Sequence, residues 1–318
     1  MNEAAAPPPY DRRMSSNDTT PGIAWPVKTR DVFNHHMDST RWDGFRFRDD
    51  DVIVATYAKS GTTWTQQIVG QLVFAGADDV NIAEISPWLD LRIMPPDTAA
   101  KLEAQQHRRI IKTHLPLDAL VFSPRAKYLY IGRDGRDVVW SMYNHHANAN
   151  QLWYDALNLT PGLVGPPIGR PDPDIRAYFR NWLQNDGAPF WPYWENIATW
   201  WQARHLPNVR LVHFNALKAD LEGEMRKIAA FLGVDIPQER WPTILEHCSF
   251  DYMKANADKV APLGGAIFEG GGKTFINKGT NGRWRDVLSA AEIQAYERRA
   301  VAELGPECAE WLATGRLA

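Results

Sequence analysis

The chain has 318 residues, 44% apolar and 23% charged, a balance that supports a sizeable core in one large domain or two small ones. Thirty-five Lys and Arg against 38 Asp and Glu leave a net charge of −3, which argues against a general nucleic-acid binder. Two cysteines, Cys248 and Cys308, make neither a disulfide framework nor a thiolate metal site, so a reducing, cytoplasmic setting is expected.

Residues 1–25 are rich in Pro, Ala, Ser and Asp and read as a disordered tail ahead of a single domain over 26–318. No apolar run of signal-peptide length opens the chain, and no stretch approaches the ~20 apolar residues of a membrane-spanning helix. Val52-Ile53-Val54-Ala55 predicts a strand buried on both faces. A turn over 57–64 breaks it, and Trp64, Ile68, Val69, Leu72 and Val73 then fall on one helical face that ends near Gly76. Further strands are expected at Ile110-Ile111, over 128–131 and over 209–214. A helix carrying Leu221, Met225, Ile228, Ala229 and Leu232 follows and stops at Gly233. Ser289 and Glu292 form a capping box for a helix running toward Gly305-Pro306. Strands alternating with helices imply a three-layer α/β/α fold around a central, mostly parallel sheet.

Residues 145–194 and 261–274 are Pro- and Gly-rich without a clear period, and read as lids or as ordinary surface loops. Fourteen tryptophans, most of them between 140 and 241, either fill a core or wall an aromatic pocket.

The strongest local signal is Tyr57-Ala58-Lys59-Ser60-Gly61-Thr62-Thr63-Trp64, set between a buried strand and an amphipathic helix. A helix N-terminus offers unpaired N–H groups and a positive dipole end to an anion. Gly61 permits close backbone approach, Thr62 and Thr63 add hydroxyls, and Lys59 adds a point charge. A Walker A sequence would place its lysine after the glycine, whereas here Lys59 precedes Gly61. Three more segments follow in order: Lys112-Thr113-His114-Leu115-Pro116 after the second strand, Arg133 to Ser141 after the third, and Lys278-Gly279 with Gly282-Arg283-Trp284-Arg285 near the C-terminus.

In this order the four segments resemble those of the cytosolic-type sulfotransferases, over about residues 40–300. That family takes its sulfuryl group from 3′-phosphoadenosine 5′-phosphosulfate (PAPS), releases 3′-phosphoadenosine 5′-phosphate (PAP), and has a P-loop-like nucleotide-binding core. The resemblance implies a 5′-phosphosulfate loop at Lys59, Ser60, Gly61, Thr62 and Thr63. It makes His114 the general base, with Lys59 and Lys112 flanking the transferring group. It assigns Arg133, Ser141, Asn277, Lys278 and Gly279 to the 3′-phosphate, and Trp64, Trp194, Cys248 and Phe250 to the adenine surroundings. Three departures stand out. Asn277 replaces the family's first cation beside Lys278, for which Arg136, Arg283 or Lys273 would have to compensate. Cys248 replaces a threonine, and Arg283 replaces an acidic residue.

Sulfuryl transfer resembles phosphoryl transfer, so positioning and electrostatics should dominate. The acceptor hydroxyl or amine must lose a proton, work suited to a histidine. The remaining histidines, His35, His36, His107, His145, His146, His205, His213 and His247, read as hydrogen-bonded structural residues. No carboxylate/His cluster stands out at metal-ligand spacing, so no metal is expected. Trp88, Asp90, Tyr143 and Trp153, with Tyr154, Phe190 and Trp191, are candidates for an apolar slot taking a small hydrophobic or phenolic acceptor, or else plain core. The competing functions are a P-loop kinase or NTPase, which would need a Walker lysine and a metal-holding Asp, and a nucleotide-binding homologue that has lost catalysis. The sequence leaves the oligomeric state open.

Overall fold

The computed structural model describes residues 22–317. Residues 1–21 of the expected tail lie outside the described residues, whereas Ile23 and Trp25, counted with that tail, pack against the core. The Trp25 ring lies 6.0 Å from that of Phe122.

Four parallel strands, β1 (Val52–Thr56), β2 (Ile110–Thr113), β3 (Lys127–Gly132) and β4 (Val209–His213), form a sheet of order β2-β1-β3-β4. Strand alternation sorts the side chains into two cores. Ile53, Ala55, Ile111, Tyr128 and Tyr130 face one side, while Val52, Val54, Ile110, Leu129, Ile131 and Val212 face the other. Helices Thr62–Val73, Leu221–Leu232 and Trp241–His247 cover the second face through Ile68, Leu72, Met225, Ile228 and Ile244. Helices Gly135–Ala147, Ile175–Gln184, Trp194–Gln202 and the C-terminal helix cover the first. Trp42, Trp182, Trp200 and Trp311 are fully buried there, so much of the tryptophan excess is core. The three-layer arrangement matches the expectation from sequence.

Two expectations shift. The stretch 145–194 contains helices Gln151–Leu159 and Ile175–Gln184, capped by the Asn150 and Asp174 side chains. Their buried aromatics, Trp153, Tyr154, Tyr178, Phe179 and Trp182, were masked in sequence by the Pro-rich link between them. The C-terminal helix continues past Gly305, where φ is 75° and ψ is 164°, and restarts at Pro306 to reach Thr314. All four strands end on one edge of the sheet, which gathers the loops after Thr56, Thr113 and Gly132 into one crevice.

Candidate active site

The turn after β1 carries two residues in the left-handed region. Lys59 has φ 67° and Gly61 φ 114°. A Cβ at Gly61 would lie 2.8 Å from Phe214 Cδ2, so both the dihedral and the space require glycine. Gly61 caps helix Thr62–Val73 without a side-chain hydrogen bond, which leaves the first-turn N–H groups to the cavity. Ser60 Oγ is buried without a partner. Thr62 Oγ1 lies 2.7 Å from Thr56 Oγ1.

His114 stands just past β2. Its Nδ1 is 2.8 Å from the Thr56 carbonyl oxygen, so Nδ1–H donates there and Nε2 carries the lone pair. Asn196 Nδ2 donates to the His114 carbonyl (2.9 Å), and Trp200 Nε1 donates to that of Leu115 (3.1 Å), which pins the backbone. Segment 87–89 pairs with β2 at Lys112 and sets the Trp88 ring edge-on to His114, centroids 4.5 Å apart. Burial, then the Lys112 charge, holds the imidazole well below its ordinary pKa, which favours the neutral ring.

Lys112 Nζ sits 4.6 Å over the Trp88 ring, and Lys59 Nζ 4.1 Å over that of Phe275. Desolvation lowers Lys112 to about 8, against an opposing pull from Asp90. Desolvation, with the charges of Lys112 and Arg133, lowers Lys59 to about 7. An anion between these groups would relieve that strain.

A second cationic cluster lies beyond β3. Arg133 donates from Nη1 to the Lys59 carbonyl (3.0 Å) and from Nε and Nη2 to Asn281 Oδ1 (3.1 and 2.7 Å). Ser141, Asn277, Lys278, Gly279 and Arg283 line the same wall. Gly279 has φ 61°, and a Cβ there would meet Phe250 at 2.8 Å. Of the three compensating cations, Arg136 is committed elsewhere: it pairs with Asp134 (2.7 Å) and Glu297 (2.9 Å) and stacks on Trp284. Lys273 is exposed and does not line the cavity. Arg283 does.

Both clusters open into one cavity of about 580 Å³, also lined by Thr62, Thr63, Trp64, Phe250, Trp88 and Trp153. Six expected contacts lie outside its walls: Ser60 is fully buried in the turn, and the Tyr154 hydroxyl donates to the His146 carbonyl (3.0 Å). Trp194 is buried against Trp182, Tyr193 and Tyr296. Cys248 is buried behind Trp64, and its carbonyl accepts from Trp64 Nε1 (2.8 Å). Asp90 lies fully buried and accepts from Trp42 Nε1 (3.1 Å) and Trp88 Nε1 (2.9 Å), so it braces Trp88. The Tyr143 hydroxyl donates to the Pro173 carbonyl (2.7 Å). Sequence reasoning missed an apolar wall of Ile82, Leu91, Ile93 and Met94, which lies in a four-residue helix (Ile82–Ile85) and a turn, both too short for periodicity, and His36. Among the described residues no group of three or more His, Cys, Asp or Glu is placed to hold a metal. No described helix is long and apolar enough to cross a membrane.

Residues 49–305 match the family model described as a sulfotransferase domain. A glycolipid sulfotransferase of Mycobacterium bovis is 33% identical over 316 residues, covering 92% of this chain and 96% of that protein. Human sulfotransferase 2B1 is 29% identical over 259 residues, 79% of this chain and 65% of its own. The solved structure of retinol dehydratase in a complex with retinol and PAP superposes with a TM-score of 0.66 at 23% identity, covering 84% of each chain.

Proposed function

The chain belongs to the sulfotransferase family, and from that premise we propose that it moves a sulfuryl group from PAPS to a hydroxyl of a small hydrophobic acceptor, with His114 as general base. The fit to the donor rests on two separated cationic clusters. The turn at Lys59–Thr63 suits the 5′-phosphosulfate, since it combines free helix N–H groups with Lys59, Thr62 and Thr63 on the cavity wall. Arg133, Ser141, Lys278 and Gly279 suit the 3′-phosphate, and Arg283 replaces the cation that Asn277 lacks. Trp64 and Phe250 remain to face the adenine, whereas Trp194 and Cys248 support from behind the wall.

The single observation that carries the chemistry is the His114 tautomer, with its proton on the Thr56 side and its lone pair free beside two lysines. As the acceptor oxygen bonds to sulfur, His114 Nε2 takes its proton. The S–O bond to the 5′-phosphate breaks, and the electron pair stays on the departing phosphate oxygen. Lys59 and Lys112 stabilise that growing charge, which favours the transition state over the ground state. The apolar wall and Trp153 support a hydrophobic acceptor, as does a relative that acts on glycolipids. An amine could lose its proton to the same base. The free, buried thiols Cys248 and Cys308 support a reducing, cytoplasmic setting.

His114→Ala tests the assignment. PAP binding should persist by calorimetry while transfer of labelled sulfate falls by about 10²–10⁴-fold. Turnover near that of the wild type would remove His114 from the mechanism.

A further inference from the structure

Deepening the acceptor reading above, on which this rests, we infer that His36 determines acceptor specificity: its Nε2 is a fixed hydrogen-bond acceptor that selects molecules carrying a second O–H donor near the hydroxyl to be sulfated. The proton positions follow from two contacts. His35 Nε2 lies 2.8 Å from the Pro189 carbonyl oxygen, which can only accept, so that nitrogen holds the proton. Neutral His35 then presents a lone pair at Nδ1, and His36 Nδ1, 2.5 Å away, must donate into it. His36 Nε2 is left with a lone pair. No described residue donates to it.

The ring is packed among four aromatic side chains and borders the cavity. Trp153, Phe190 and Trp191 lie with centroids 5.5, 5.6 and 5.5 Å from it, and Trp88 stacks at 6.0 Å. Asn34 Oδ1 accepts the His36 N–H at 2.9 Å, and the Arg92 N–H donates to the His36 carbonyl at 2.6 Å. His36 is 5% exposed, and it lines the acceptor side of the cavity. Trp88 and Trp191 also flank His114, at 4.5 and 5.8 Å, so the two imidazoles line one cavity and share two aromatic neighbours. An acceptor with one hydroxyl gives its proton to His114 and leaves His36 Nε2 dry and unpaired. A vicinal diol, or a sugar ring, satisfies both. A site that hydrogen-bonds a substrate hydroxyl discriminates strongly against the analogue lacking it.

The probes are 1,2-octanediol and 1-octanol, with PAPS as donor and transfer of labelled sulfate as readout. The wild type should show a KM for the diol about tenfold or more below that for the mono-alcohol. His36→Phe preserves an aromatic ring without the acceptor nitrogen and should bring the ratio of the two KM values to about one, with PAP affinity retained as the measure of a folded donor site. His36→Gln keeps an accepting oxygen and should restore part of the preference. Equal KM values in the wild type overturn the inference regardless of how any variant folds, as does an undiminished preference in folded His36→Phe. Failure to sulfate either alcohol overturns instead the hydrophobic-alcohol reading, and this inference with it.

Discussion

With Lys59 and Lys112 at the donor's anionic end, as proposed, PAP binding should be a proton-uptake reaction. In the free chain they titrate at about 7 and about 8, lowered by desolvation, with neighbouring cations adding to the effect at Lys59. Anionic phosphate beside them favours the ammonium forms and raises both values, so binding is strongest where both are already charged and weakens as pH rises. At pH 8 a lysine titrating at about 7 is roughly 10% protonated, and one titrating at about 8 is half protonated. Binding that holds both as ammonium therefore takes up about 1.4 protons at that pH. Between pH 7 and 9 the Lys59 contribution alone should lower affinity about 50-fold, and Lys112 adds about tenfold. The nucleotide does not confound this window, because the second proton of a phosphate leaves near ~6. Calorimetry in two buffers of different ionisation heat counts the protons directly. Lys59→Met should remove most of the uptake at pH 8 and flatten the Lys59 part of the affinity profile. Zero uptake at pH 8 in the wild type, or an affinity constant from pH 7 to 9, would refute the assignment of either lysine to the donor's anionic end.

Two further outcomes separate the donor clamp from the scaffold. Arg283→Ala should weaken PAP by about tenfold, as expected for a lost charged hydrogen bond, yet leave adenosine 5′-phosphate binding almost unchanged; equal losses for both nucleotides would remove Arg283 from the 3′-phosphate. Asp51 lies at the far edge of the sheet, where Arg109 grips it from Nε (2.7 Å) and Nη2 (2.5 Å), both side chains being almost wholly buried. Asp51→Asn strands that guanidinium and should cost about 3–5 kcal/mol in urea titration, while the folded fraction keeps its affinity for PAP. A change below about 1 kcal/mol would contradict the burial of the pair.

What could be read from the sequence was what is local. The anion turn announces itself because its glycine, hydroxyls and charge lie within five residues, and the alternating strand residues sort themselves between two faces without reference to anything distant. His114 was singled out by the resemblance of its segment to the family's, with its position after a strand in support. The competing claims of Arg136, Arg283 and Lys273 were not legible, since all three are basic and near the right motifs. Only packing shows that Asp134 and Glu297 consume the first, while the third does not line the cavity. Trp194 and Cys248 fail as wall residues for a related reason: residue type at a motif position says nothing about which side of a helix the ligand occupies. The histidine doublet is the extreme case. The acceptor role of His36 depends on a carbonyl 154 positions from its neighbour, which fixes one proton, then the next, and so decides what the cavity offers an incoming hydroxyl. On the inference drawn for His36, specificity is carried by a group whose chemistry is set by contacts distant in sequence. It follows that relatives sharing all four short segments can differ in acceptor without any change in those segments.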